Sequence, residues 1–332
     1  MKKVSIIVPC YNEERTIRLL LDALYTQTFV RDDMEVVIAD GMSTDGTRKA
    51  IASFQQDSPD LEIRVIDNPK RHIPAGLNAA LAAALGEYVI RLDAHSIPDK
   101  DYVVRSLEDL EKGFGDTVGG VWDIRPGGRN WVSRSIAAAA TSPMGTGNAS
   151  YRYATKAEIV DTVPFGAFRK SYLEQIGGWD ERLLSNEDYE LNMRIKKLGG
   201  KVWLDPAIRC VYFTRTTFSA LARQYWRYGY WKAQMLKRYP ATALWRQFLP
   251  PLLVANLVFF LILSIWFIPA RWLLVLEAAL YVLTLLGIGI NSAIKKHDSA
   301  LIIGVPGAVA IMHLVWGTGL LYGMAANTVN RN

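Results

Sequence analysis

Four short polar clusters follow apolar, strand-like runs between Pro9 and Asp188. They are Pro9-Cys10-Tyr11-Asn12-Glu13, Asp40-Gly41-Met42-Ser43-Thr44-Asp45-Gly46, Arg91-Leu92-Asp93-Ala94-His95 and Asn186-Glu187-Asp188. Carboxylates in such clusters can take a proton from an attacking hydroxyl or hold a hard divalent cation. In an open α/β sheet the carboxyl ends of the strands collect these groups, so clusters far apart in sequence meet in one crevice.

The elements that must position them are legible from periodicity. Residues 4–8 are apolar but for Ser5, and 16–26 carry Ile17, Leu20, Leu21 and Leu24 at helical spacing. A second strand is expected at 35–39, a helix at 46–55 and a third strand at 63–66 before Asn68-Pro69. An Ala-rich helix at 74–84 ends at Gly86, and a strand follows at 88–92. This alternation predicts an α/β fold with a mostly parallel sheet.

No Gly-x-Gly-x-x-Gly follows the first strand, and there is no Gly-x-x-x-x-Gly-Lys loop, so dinucleotide and P-loop folds are disfavoured. Taken singly, Asn12, Asp40 and Asp45 suit turns or helix caps. Glu187, Asp188 and Glu190 likewise suit the acidic first turn of a helix, and His95 a strand-end hydrogen bond.

Taken together, in order and spacing, the clusters resemble inverting glycosyltransferase family 2, a GT-A type fold, over residues 1 to about 239. The resemblance implies that Pro9, Tyr11, Glu13 and Asp40 hold the base of a nucleoside diphosphate, typically uracil, whose N–H an ionised carboxylate can read. Asn12, Ser43, Asp45, Gly76, Asn78 and Arg91 join this donor site. Arg71 or Lys70, in the segment 68–78, could touch phosphate.

A diphosphate leaving group needs its developing charge neutralised, and Mg²⁺ or Mn²⁺ binds hard oxygen ligands and phosphates together. The family's usual Asp-x-Asp is here Asp93-Ala94-His95, so the expected metal ligands are Asp93 and His95. Imidazole suits Mn²⁺ better than Mg²⁺. A similar substitution marks the subset resembling succinoglycan-type, chain-extending glucosyltransferases.

The resemblance places the inverting base at Asp188, with Glu187 setting its position and charge. The run 189–195 is helical in pattern, so Asp188 sits at a helix start, where its ionised form is favoured. Residues 165–169 resemble the edge strand that shapes the acceptor side, near Trp179 and Asp180. Gln224-Tyr225-Trp226-Arg227-Tyr228 resembles the Gln-x-x-Arg-Trp motif of membrane members, which implies a role for Gln224, Arg227 and Tyr228 near the acceptor or the diphosphate. A simple amphipathic anchor is the other reading of 218–239, since Trp, Tyr, Arg and Lys suit a headgroup interface.

Of 332 residues, half are apolar and the net charge is +6. Between Phe248 and Ile290 the only charged residues are Arg271 and Glu277, and between Ser299 and Asn330 there are none. A hydrocarbon core about 30 Å thick needs ~20 helical residues, so spans are expected at 248–268, 272–290 and 300–324. Lys232, Lys237, Arg238 and Arg246 precede the first, Lys295, Lys296 and His297 follow the second, and the opposite turn holds Arg271. The positive-inside bias then puts the N-terminal domain in the cytoplasm and the tail after Met324 outside. Glu277 within a span is expected to reach Arg271. Glycines of the third span suit close helix packing, and the few polar residues of the spans argue against a wide polysaccharide channel.

The domains so expected are a catalytic domain at 1–215, an amphipathic interfacial region at 216–246 and about three transmembrane helices at 247–326. No signal peptide is visible, and Cys10 and Cys210 are expected as buried free thiols. No basic run interleaves with aromatics on the soluble part, so no nucleic-acid partner is expected. The expected partners are a UDP-sugar donor, a polyprenyl-linked saccharide acceptor and membrane lipids; a homo-oligomer stays open. The function expected is transfer of glucose from UDP-glucose onto a lipid-linked saccharide in exopolysaccharide biosynthesis at the inner membrane. The alternatives are a polyprenyl-phosphate hexose synthase and, from another class, a catalytically silent membrane assembly subunit.

Overall fold

The computed structural model describes residues 2–147 and 149–326. Most of the tail after Met324, expected to face outward, lies outside the described residues. In chain order the elements are β1 (Val4–Cys10), α1 (Ile17–Tyr25), β2 (Met34–Asp40), α2 (Thr47–Asp57), β3 (Glu62–Asp67), α3 (Ile73–Ala83), β4 (Tyr88–Arg91), β5 (Ile97–Pro98) and α4 (Tyr102–Glu111). There follow β6 (Thr117–Arg125), α5 (Trp131–Ala140), α6 (Pro143–Thr146), β7 (Glu158–Ile159), β8 (Ala167–Arg169), α7 (Lys170–Gln175), α8 (Glu187–Lys197) and β9 (Val202–Phe213). The C-terminal helices are α9 (Phe218–Arg238), α10 (Leu249–Leu263), α11 (Ile268–Lys296) and α12 (Leu301–Ala325).

The chain divides into two compact units. One comprises Met1–Asp123 with Ser150–Tyr212, the other Ile124–Ala149 with Phe213–Asn332. The segment 124–149, which the sequence reading places inside the catalytic domain, therefore groups with the C-terminal helices, because its Ala-rich α5 buries Ile136, Ala138, Ala139 and Ala140 against Val305, Ala308, Val309 and Met312 of α12.

The first unit holds a mixed sheet with strand order β3-β2-β1-β4-β8-β6-β9-β5, β7 pairing with β9. The half built from β3, β2, β1 and β4 is wholly parallel, and β8 joins β4 and β6 antiparallel. Every residue of β1 and β2 is buried, as parallel strands covered on both faces require. Alternate side chains divide between two cores. Ile6, Val8, Val36 and Ile38 face α1, α2 and α4, while Ile7, Val37 and Ala39 face Leu77 and Leu81 of α3 and Leu191 and Ile195 of α8. Each such Val, Ile or Leu side chain contributes about 1.5–3 kcal/mol by leaving water.

From β1 the chain steps outward to β2 and β3, then returns so that β4 lies on β1's other side. The strand order reverses there, and the crevice between the carboxyl ends of β1 and β4 is where such a sheet binds ligand.

In the second unit, three helical stretches among the described residues are long and apolar enough to cross a membrane: Trp245–Leu263, Ile268–Lys296 and Leu301–Ala325. α12 is central. Glycines let neighbours approach it closely, as expected: a Cβ on Gly319 would lie 2.7 Å from the Trp226 carbonyl oxygen of α9, and one on Gly317 2.6 Å from that of Pro250. The expectation for Glu277 is corrected. Its Oε1 accepts from Asn256 Nδ2 at 2.9 Å, while Arg271 donates to the Ser264 carbonyl at 2.7 Å, capping the end of α10. Asn256 reaches Glu277 from the neighbouring helix α10, whereas Arg271 lies by the carbonyls that α10 leaves unpaired at its C-terminus. Cys10 and Cys210 are buried and unbridged.

Candidate active site

The loop after β1 is locked to the loop after β2. Asn12, held at φ 55°, donates its N–H to Ser43 Oγ at 2.8 Å and accepts the Thr44 N–H on Oδ1 at 2.9 Å. The Glu13 N–H donates to Thr47 Oγ1 at 2.8 Å, and that hydroxyl donates to Asp45 at 2.5 Å. The Thr47 hydroxyl holds the Asp45 carboxyl below its usual value. Asn12, Ser43 and Asp45 thus tie the loop after β1 to the loop after β2. Tyr11 stays 46% exposed beside Gly41, where a Cβ would come 3.2 Å from its ring. Gly76 admits Asn68 beside Pro9 in the same way, with 2.9 Å to Asn68 Nδ2.

Asp40, expected to read the donor base, is fully buried. Its oxygens accept from the Ser43 N–H at 3.1 Å, the Ser43 hydroxyl at 2.5 Å and Arg48 Nε at 2.6 Å. Arg48 also bridges to Asp67, which pairs with Asp40 across β2 and β3. Sequence reading missed Arg48. The signal was a cation one residue into α2, where it can reach back to the strand end. Arg71 is exposed in the left-handed region at φ 57°, and Lys70 pairs with Glu181 at 2.6 Å.

Across the strand-order reversal, Glu13 Oε1 meets His95 Nδ1 at 3.0 Å. Asp93, one-fifth exposed, meets Arg91 Nη2 at 3.1 Å through Oδ1. No group of three or more His, Cys, Asp or Glu is gathered for a metal among the described residues. A single carboxylate with a nearby imidazole nonetheless fits a cation such as Mn²⁺, which takes few protein ligands and fills its remaining positions from phosphates and water.

Arg91, at the end of β4, is 3% exposed and faces three carboxylates. Besides Asp93, its Nη2 meets Glu187 Oε1 at 3.1 Å, and its Nη1 is ion-paired with Asp188 Oδ1. Its guanidinium lies 5.8 Å from the Phe165 ring centroid. Three anions around one buried cation keep Arg91 protonated. Glu187 and Asp188 open α8, preceded by Asn186 at φ 67°, so both carboxylates sit at the positive end of the helix dipole. Burial nonetheless pushes the Glu187 carboxyl up; Arg91 opposes this and Asp188 adds to it.

Trp179, 2% exposed, donates its indole N–H to Asp188 Oδ1 at 3.2 Å. Asn78 of α3 clamps the main chain of Trp179, donating Nδ2 to its carbonyl and accepting its N–H, both at 2.9 Å. Asn78, expected at the donor, thus uses its amide within the protein. Asp180 pairs with Arg182 at 2.8 Å. Gln224 donates to the Tyr228 hydroxyl at 2.7 Å in α9, with Arg227 exposed on the same helix; both belong to the second unit.

This fold and these strand-end carboxylates coincide with a match of the glycosyl transferase family 2 profile to residues 5–177. The chain belongs to this family. Among curated family relatives, the succinoglycan biosynthesis protein ExoA of Rhizobium meliloti (strain 1021) is 32% identical over 318 residues, 95% of this chain and 92% of that protein. A dolichyl N-acetyl-alpha-D-glucosaminyl phosphate 3-beta-D-2,3-diacetamido-2,3-dideoxy-beta-D-glucuronosyltransferase of Methanococcus voltae is 28% identical over 74% of this chain and 77% of its own. Of solved structures, the mannosyltransferase PcManGT from Pyrobaculum calidifontis, in complex with GDP-Man and Mn²⁺, shares the fold with a TM-score of 0.61 at 23% identity, covering 93% of this chain and 87% of that one. Staphylococcus aureus TarS 1-349 in complex with UDP follows at 0.51 and 16%, covering 93% and 90%.

Proposed function

We propose that this family member is an inverting hexosyltransferase that moves glucose from UDP-glucose onto a membrane lipid-linked saccharide in exopolysaccharide or related glycan biosynthesis. One observation carries the reading: the Glu187–Asp188 pair at the start of α8 is joined to the strand-end Asp93 through one buried guanidinium. That arrangement supports a reading in which a carboxylate of this pair accepts the acceptor's proton beside a bound nucleotide donor. The name of the Rhizobium relative supports the glycan class, and the GDP-Man and UDP complexes of the fold neighbours support a nucleotide-sugar donor.

In the reaction proposed, an acceptor hydroxyl oxygen attacks the anomeric carbon. The bond from that carbon to the diphosphate oxygen breaks, and UDP leaves with the electron pair. Asp188 takes the hydroxyl proton, which a single carboxylate within hydrogen-bond reach can do. Asp93 and His95 would hold a divalent ion, which when bound supplies charge neutralisation at the leaving diphosphate. Residues 1–215 would carry catalysis on the cytoplasmic face of the inner membrane, 216–246 would lie at the headgroup interface, and 247–326 would anchor the enzyme where a lipid-linked acceptor resides.

The test is turnover of a panel of UDP- and GDP-sugars, with Mn²⁺ or Mg²⁺, by detergent-purified protein supplied with bacterial lipid extract. Metal-dependent UDP release with one sugar incorporated into lipid is the expected result. A folded protein that neither binds nor turns over any donor would return the chain to the silent-subunit alternative.

A further inference from the structure

Asp188 could serve as a base through either oxygen, but its two oxygens are not equivalent. Oδ1 receives both the Arg91 Nη1 ion pair and the Trp179 indole N–H at 3.2 Å. Among the described residues nothing bonds Oδ2. Both partners of Oδ1, the Arg91 charge and the Trp179 N–H, are fixed from behind. Arg91 is 3% exposed, and its second nitrogen is held by Asp93 and Glu187, each at 3.1 Å. Trp179 is 2% exposed, packs edge-to-face on Phe168 with centroids 6.0 Å apart, and has its main chain gripped by Asn78 on both sides. A carboxylate on a helix N-terminus would otherwise rotate about its terminal torsion, which is broad and soft.

We propose that Arg91 and Trp179 are positioning residues for the base, pinning Asp188 Oδ1 so that Oδ2 alone is presented to the acceptor hydroxyl. The inference rests on the reading of Asp188 as the base. In the step it refines, the acceptor oxygen forms its bond to the anomeric carbon, the carbon–diphosphate bond breaks, and the released proton passes to Oδ2. Arg91 and Trp179 keep their own protons throughout. Because Arg91 joins Asp93 after β4 to the pair opening α8, the donor side and the proton acceptor share one rigid cation whose planar fork can serve several carboxylates at once. A lysine keeps the charge and loses the fork.

Two variants of the full-length protein test this, Arg91→Lys and Trp179→Phe, with UDP titration and thermal melting run beside steady-state kinetics. Trp179→Phe keeps an aromatic ring at this position and removes the N–H together with part of the indole's volume, and its kcat should fall about 10-fold or more, the size expected for one hydrogen bond to a charged group. Arg91→Lys should fall about 100-fold through misplacement of the base. In Trp179→Phe, UDP affinity should stay within about a factor of two, since the indole N–H meets Asp188 and not the loops after β1 and β2. Wild-type kcat in either folded variant, or a loss residing only in the donor KM, overturns the proposal. If Arg91→Lys does not fold, Trp179→Phe decides alone. A wild type inactive with every sugar nucleotide sinks the transferase reading and this assignment together, whereas an active wild type with unaffected variants sinks this assignment only.

Discussion

Asn78 and Trp179 stand 101 residues apart and are joined twice, the Asn78 amide donating to the Trp179 carbonyl and accepting its N–H, each at 2.9 Å. The pairing ties α3, which packs against β1 and β2, to the segment that leads into Asp188. The asparagine side chain thus fixes the Trp179 main chain, while Phe168 and Asp188 contact its indole.

Asp188→Asn should reduce transfer by about 1,000-fold or more while UDP binding persists, because it removes the proton acceptor and leaves the loops after β1 and β2 untouched. Parallel kinetics and UDP titration check this. Full activity in the variant would remove Asp188 from its role.

Asp93→Ala should weaken metal-dependent donor binding by about 10-fold or more through loss of a charged ligand. The fold should survive, since Arg91 keeps Glu187 and Asp188. UDP titrations with and without Mn²⁺ make the comparison; an unchanged Mn²⁺ dependence would count against Asp93 as ligand.

Asp109 gives a pH signature remote from the site. Its carboxyl, accepting from Trp203 Nε1 at 3.1 Å, is pushed up from 3.8 to about 6, first by burial and then by Asp205. The folded value exceeds the unfolded one, so the folded chain binds the proton more tightly. The stability this supplies is full below 3.8 and is lost as pH rises through about 6. Asp109→Asn should therefore stabilise the protein at pH ~8 by on the order of 2 kcal/mol, with the gain vanishing near pH ~4. Thermal melts across this range read it, and a pH-independent difference would contradict it.

Gly229 of α9 faces α12 so closely that a Cβ would lie 2.2 Å from the Trp316 carbonyl oxygen, whereas Gly287 of α11 has nothing within 4 Å. Gly229→Ala should cost about 3 kcal/mol by forcing the helices apart. Gly287→Ala should be neutral or gain up to about 1 kcal/mol in helix propensity. Melting of the two variants in detergent compares them directly.

Much of this was legible in the sequence because it depends on local pattern. The largely apolar runs of β1 and β2, broken by Ser5 and Glu35, and the helical spacing of Leu20, Leu21 and Leu24 mark the parallel half of the sheet, and the resemblance in the strand-end clusters marks the crevice. What escaped is set by tertiary pairing. The sequence offers a cation at the start of α2, but only the folded chain closes Arg48 and Ser43 around the Asp40 carboxylate. Nothing near Asn78 names Trp179. The short strands β5 and β7, two residues each, exist only because β9 offers them an edge. Glu277 finds Asn256 on a neighbouring helix, a choice that helix rotation makes and composition does not.

The central claim, single-carboxylate inversion at Asp188, is tested most directly by the anomeric configuration of the product. UDP-α-glucose supplied to the wild-type enzyme with its lipid acceptor, and the product analysed by NMR, should give a β-linked sugar. An α-linked product would mean retention of configuration and would contradict the account.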